Sequence, residues 1–489
     1  MTFTLINTLP QKRNDTVVVK TYIPGGNFAI LDEKGNKVDY TVIESRDLTD
    51  YVLTQTIRLN PSKEIYIPNK VYEARIVISK DHVSSFGFEQ LQLVFSGNGE
   101  DPYKECEYLE NKFYKVTINE DGSFNVLDKE SQKEYKNQGV LVENGDDGDS
   151  FNYSIPQDLD ARAKKEATVK MPIELIIGLR KNSEVIDVKV NVDNHGLSHR
   201  LCILFDAGFA TKTNIADQQF GTIMRPNGYE KEMALYIQSA NTKEDKVVDP
   251  LEPVNWQQSE TTWQEPPIAI EPCQSFVSLT NDEETVSVIP QGVREYEIVG
   301  ENKNVIRLTL FRTYGFMGKE NLLYRPGRAS GEKIIETPDA QLLKKMSFNC
   351  GVTYCAKAFN DSNIANIAKQ YNTPIEVKEY SEFLNGRLIF SQIEEEATND
   401  NSLSMLRMEG NLTVSSIKNA EDQDGMIIRL YNGMYKENAN GKLIFTKRIK
   451  NAYVTNLKEE KIAEVKYTDH EIDLDVLSHC KFVTLYVEL

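Results

Sequence analysis

Residues 184–194 read EVIDVKVNVDN, with Val and Ile alternating against Asp, Lys and Asn for ten residues. A period of two places the apolar side chains on one face of a strand and the polar ones on the other. The pattern fits an antiparallel strand with one face on a core and one in water. Working outward, the same reading holds for MPIELIIGL (171–179), HRLCILFDAGF (199–209), SFVSL (275–279), TVSVIP (285–290) and VIRLTLFRTYGF (305–316). Upstream, FYKVTINEDGSFNVLDKESQKEY (113–135) has two alternating runs around Asp121-Gly122, a dipeptide favoured in hairpin turns. Long strands without helices between them predict a large antiparallel sandwich rather than β/α units.

Towards the N-terminus, DTVVVKTYI (15–23), VYEARIVIS (71–79) and EQLQLVF (89–95) are further strands, separated by the turn signals PGGN (24–27) and DEKGNK (32–37). A polar stretch, SGNGEDP (96–102), marks a boundary. The last 110 or so residues repeat the pattern in RLIFSQI, NLTVSSI, MIIRLYN, KLIFTKRI and FVTLYVEL, beside an acidic loop, EEEATNDN (394–401). One helix is predicted at 361–372, where Ile364, Ile367, Ala368 and Tyr371 recur at helical spacing, Asp361 or Ser362 can cap it and Thr373-Pro374 stops it. The expectation is an all-β chain: a small Ig-like sandwich at 1–105, a large sandwich at 106–373 and a C-terminal sandwich at 374–489, with one short connecting helix.

The 489 residues carry 56 basic and 74 acidic side chains, a net charge of −18. Phosphate binding needs clustered Lys and Arg, so nucleic acid and anionic membrane surfaces are disfavoured as partners. No run of apolar residues is long enough to span a bilayer, and the N-terminus lacks a signal peptide's apolar stretch, which predicts a cytoplasmic address. The six cysteines are scattered; Cys350 and Cys355 are the nearest pair and lack zinc-knuckle spacing. They read as reduced, mostly buried thiols.

Catalytic motifs are missing from the pattern. None of the five histidines stands in an HExxH or HxD pair, and His195 and His199 fall in a turn rather than on a helix. No catalytic residue and no metal ligand is assigned. Candidate binding residues come from loops. ENGDDGDSFNY (143–153) packs carboxylates around two glycines, as a cation or polyol loop would, or as a solvated acidic loop would. Within it Asp149, Ser150 and Tyr153 supply an acceptor, a hydroxyl and a ring. NWQQSETTWQEPP (255–267) holds the only two tryptophans, Trp256 and Trp263, among amides and carboxylates. A sugar needs a flat ring for its C–H face and polar groups for its hydroxyls; a Trp wedging a loop onto a sandwich has the same composition. Gln291 and Arg294 flank Gly292, giving a donor fork beside a close backbone approach, or simply a turn with a surface Arg.

LENKFYKVTINEDGSFNVLDKESQKEY (109–135), VDNHGLSHRLCILFDAGF (192–209), ADQQFGTIMRP (216–226), RTYGFMGKENLLYRPG (312–327), KNAEDQDGMIIRLYN (418–432) and LINTLPQKRNDTVVV (5–19) together resemble the C-terminal β half of glycoside hydrolase family 38, the α-mannosidases, and are most similar to bacterial members of the mannosylglycerate-hydrolase type. The resemblance implies retaining α-mannoside hydrolysis by two carboxylates, with zinc in the complete enzyme. It also implies that the nucleophile and zinc ligands belong to an N-terminal β/α barrel and helical domain, whose motifs this sequence lacks. The expected role is non-catalytic: packing on that barrel and helical domain and lending loops to a mannoside pocket through Asp149, Ser150, Tyr153, Gln291, Arg294 and Trp263, with no cofactor held by this chain and self-association through the exposed docking face. A stand-alone carbohydrate-binding module is the alternative; a self-sufficient hydrolase is disfavoured because no carboxylate pair can be nominated.

Overall fold

The computed structural model describes residues 1–23, 28–51, 70–95, 106–156, 169–241, 266–320, 322, 325, 334–380 and 401–489. Both tryptophans, the 24–27 turn, the 96–102 boundary, the strand at 387–393 and most of the 394–401 loop lie outside the described residues. The chain is all-β, with paired strands antiparallel throughout the registers below. It divides into two compact units, one of residues 1–113, 179–183 and 365–489, the other of 114–178 and 184–364.

In the first unit, Thr2–Asn7 lies between Gly87–Phe95 and Glu376–Tyr380, with Thr2 opposite both Gln92 and Tyr380. A second sheet, Arg13–Ile23, Tyr72–Val83 and Asp39–Asp47, faces it across a core of Phe3, Leu5, Ile30, Ile76, Ile78 and Leu91. The C-terminal sandwich pairs Thr413–Asn419, Met426–Tyr431, Phe482–Glu488, Asn451–Thr455 and Lys461–Glu464 in one sheet, and Leu406–Gly410, Ala439–Phe445 and Glu471–Leu477 in the other. Leu412, Ile428, Leu430, Leu443, Ile472 and Leu485 are its wholly or almost wholly buried centre. The 418–432 hairpin turns at Gly425, where φ is +142° and an added Cβ would lie 2.7 Å from the Tyr486 ring. Arg429 donates to the Thr484 hydroxyl opposite (3.0 Å).

The helix runs Ile364–Tyr371 after a short 3-10 turn at Phe359–Ser362. Ser362 does not cap it: its hydroxyl donates back to Phe359 O (2.7 Å), and Asn363 takes the left-handed conformation between the two segments. The helix C-terminus is held by Arg13, which donates to Gln370 O (3.1 Å) and Thr373 O (2.6 Å). A further helix, Glu230–Asn241, carries acidic residues in its first turn and leaves Leu235 exposed. In the sequence its apolar residues run consecutively from Met233 to Ile237 rather than at helical spacing, so periodicity does not announce it.

In the second unit, the quoted strand spans Ile186–Asp193, alternating buried and partly exposed residues, and joins a seven-stranded sheet beside Lys345–Cys355. A five-stranded sheet, ordered Val140–Gly145, His199–Asp206, Val305–Arg312, Glu295–Val299 and Ile270–Pro272, lies against it. The Tyr296 hydroxyl, which donates to Asn214 (2.6 Å), and the stacked Phe311 and Phe348 rings (5.6 Å) tie the two layers. The Asp121-Gly122 turn joins Tyr114–Ile118 to Phe124–Asp128 as the sequence indicates, with Asp121 accepting from both the amide and hydroxyl of Ser123.

Candidate functional site: a clasped loop at the sheet edge

Register brings three strand ends together. Gly145 lies opposite His199, and Arg200 opposite Arg312, so the loops after residue 145, before 199 and after 312 leave from one edge. Backbone bonds tie these loops: Asp146 N to Ser198 O (2.8 Å), Thr313 N to His199 O (2.8 Å), Ser150 N to Phe316 O (3.2 Å) and Thr337 N to Gly315 O (2.9 Å).

The acidic loop is closed by cations from elsewhere in the chain. Asp146 accepts from the amide of Gly148 (2.8 Å) and from Arg312 Nε (2.7 Å), while Arg312 Nη2 donates to the carbonyls of Asp149 and Asn152, both at 2.9 Å. Asp149 is fully buried. Its Oδ1 accepts from the amides of Phe151 (2.9 Å) and Asn152 (3.1 Å), its Oδ2 from the amide of Lys319 (2.9 Å), and it forms an ion pair with buried Arg325. Arg325 also donates to Asn152 Oδ1 (2.7 Å) and Lys319 O (3.0 Å); Lys319 pairs with Asp147. Burial alone would raise the Asp149 carboxyl, but Arg325 and the two loop amides outweigh it and hold the group below the usual carboxylate range. Gly148 is required by space: a Cβ there would lie 1.9 Å from Asn152 O.

The sequence candidates take distinct places. Asp149 is the keystone of the clasp, with both oxygens engaged. The Ser150 Oγ is buried and has no hydrogen-bond partner among the described residues. The Tyr153 ring is 9% exposed and lies 4.9 Å from the Arg200 guanidinium. Arg200 is itself buried, bonded to Thr309 (2.6 and 3.0 Å) and paired with Glu297 (3.2 Å) and Glu295 (3.3 Å). Arg294 belongs to a second cluster, donating to Gln274 Oε1 (2.6 Å), and Gln291 ends its strand opposite Asn349. Trp263 lies outside the described residues. Arg312, Lys319 and Arg325 escape the sequence reading because nothing local links them to carboxylates more than 160 residues away.

His195 and His199 have different partners. His195 lies 3.2 Å from Asp193, whereas His199 is buried with Nε2 3.0 Å from Asn194 Oδ1 and Nδ1 3.1 Å from Glu143, the latter an ion-pair contact off the ring N–H axis. The contact with His199 lowers the Glu143 carboxyl, against the effect of its burial. Among the described residues, no group of three or more His, Cys, Asp or Glu could hold a metal ion. The described residues therefore do not fit a zinc centre. Nor are Asp146 and Asp149 free to attack a sugar or carry a proton to it; their oxygens are committed to cations and amides.

Residues 152–316 match the model of the glycosyl hydrolases family 38 C-terminal domain, and residues 411–482 that of the family 38 C-terminal beta sandwich domain. These two segments resemble C-terminal domains of glycosyl hydrolase family 38. The first matched segment begins inside the clasped loop and ends at Phe316, whose carbonyl accepts from the Ser150 amide. Over 285 residues, the chain is 24% identical to a protein of Halalkalibacterium halodurans named "Putative mannosylglycerate hydrolase", a match spanning 48% of this chain and 27% of that protein. An α-mannosidase from Enterococcus faecalis V583 has the same fold across the whole chain, with TM-score 0.70, 17% identity and 56% of its own length covered. A second Enterococcus faecalis structure, of a family 38 protein, gives TM-score 0.68, 16% identity and 58%. The chain thus spans little more than half the length of those solved chains. Among the described residues no helix is long and apolar enough to cross a membrane.

Proposed function

We propose that this chain serves as the C-terminal β half of a retaining glycoside hydrolase acting on α-mannosides of the mannosylglycerate type. It packs on a catalytic β/α barrel and helical domain and lends the 146–154 loop to the sugar pocket. The observation that carries this reading is the pair of matches to family 38 C-terminal domains, one mostly in the second compact unit and one in the first. The clasp supports it: a loop that lines another domain's pocket must be held by its own scaffold, and buried ion pairs to Asp146 and Asp149 do that. Nucleophile, general acid and zinc ligands belong outside this sequence on this reading. Free thiols at all six cysteines support a reducing, cytoplasmic setting.

The test is complementation. The purified chain, assayed with zinc and an aryl α-mannoside, is expected to show no turnover. Adding a separately expressed family 38 catalytic half is expected to give co-elution and increased turnover. Turnover by the chain alone, or neither association nor gain on mixing, would sink the reading.

A further inference from the structure

The clasp presents one large apolar side chain to solvent. Phe151 is 60% exposed, yet the backbone on either side of it is hydrogen-bonded. Its amide donates to Asp149 Oδ1, the preceding amide bonds Phe316 O, and the following residue is gripped through its carbonyl by Arg312 and through its side chain by Arg325. The Arg325 guanidinium lies 5.7 Å from the ring centroid and occupies one side of it. Single solvent-facing rings are ordinary; a ring carried on a loop held by two ion pairs to buried carboxylates is pre-organised for contact. Phe316, whose carbonyl accepts from the Ser150 amide, and Met317 are also exposed, and the Asp147–Lys319 ion pair, 38% and 30% exposed at its side chains, supplies a carboxylate acceptor and an ammonium donor from the same loops.

We infer that Phe151 is a stacking platform for a hexopyranose, with Asp147 and Lys319 binding its hydroxyls. A pyranose has an apolar C–H face that suits a ring, and vicinal hydroxyls that suit an acceptor and a donor. A protein surface docked here would strip water from the Asp147–Lys319 pair without replacing its hydrogen bonds, which costs free energy; sugar hydroxyls replace them. The inference rests on the proposed function for the identity of the sugar, and it moves the contact within the loop away from Asp149 and Tyr153, which are buried and engaged.

Saturation-transfer NMR on the full chain with methyl α-mannopyranoside tests it. Transfer is expected to concentrate on the C–H protons of one sugar face. Phe151→Ala should weaken binding about five- to tenfold, whereas Phe151→Tyr, which keeps the ring, should stay within about twofold of wild type. Phe482→Ala, at an exposed ring in the other unit, should change nothing. Binding by Phe151→Ala equal to wild type overturns the inference, and so does an absence of transfer to wild type at millimolar sugar. Loss of complementation in Phe151→Ala with sugar contact unaltered also overturns it, because the ring would then dock protein. The proposed function is judged separately, by turnover on mixing with wild-type chain.

Discussion

Asp149 is fully buried and paired with a buried arginine, so its removal leaves Arg325 desolvated without a counter-charge. Asp149→Ala should cost about 3–5 kcal/mol of stability, read from urea unfolding. The pH dependence has a definite sign. The folded-state carboxyl is depressed by Arg325 and the loop amides against the upward pull of burial. The stabilisation it brings is therefore present above the unfolded value of about 3.9 and is lost as pH falls through the folded value. Denaturant midpoints measured between pH 3 and 7 should drop on the acid side, and less steeply in Asp149→Ala than in wild type. At Gly148, Ala should be destabilising by about 2 kcal/mol or more, because the new Cβ meets the Asn152 carbonyl rather than a yielding side chain. Sequence alone drew attention to the 143–153 loop through its glycines and carboxylates. It could not distinguish a solvated acidic loop from a clasp, since the deciding cations arrive through tertiary folding.

Strands were legible where one face is wet. EVIDVKVNVDN and the Asp121-Gly122 hairpin have the period and turn chemistry of the elements they form. The helix at 364–371 was legible from its spacing, but its stabilisation was not. Arg13, some 350 residues away, donates to two carbonyls at its C-terminal end, where unsatisfied acceptors and the negative end of the dipole favour a cation. Arg13→Ala should lower the stability of the first unit by about 2–3 kcal/mol, with amide exchange accelerated first in 364–373. Helix Glu230–Asn241 was illegible for the opposite reason: its apolar residues run consecutively rather than at helical spacing.

Across the whole molecule, thiol chemistry reports burial. Cys106 and Cys480 are exposed, Cys355 is partly buried, and Cys202, Cys273 and Cys350 are buried. Burial pushes Cys273 and Cys350 up to about 12 and Cys355 to about 11, so none of these three forms thiolate readily near neutral pH. Ellman's reagent at pH 8 should label Cys106 and Cys480 rapidly and Cys355 slowly, with the other three reacting only on unfolding. Rapid labelling of more than two would contradict the described packing. Long-range organisation was the least legible scale: periodicity identifies strands but not partners, and no local signal pairs residues 2–6 with 376–380.

That last pairing has a consequence for biosynthesis. The N-terminal strand leaves the ribosome some 370 residues before one of its two neighbours exists. At roughly 5–20 residues per second, its open edge waits about 20–70 seconds for Glu376–Tyr380. During that interval the nascent protein displays an unpaired β edge, a surface on which a chaperone, or a neighbouring polysome, can act.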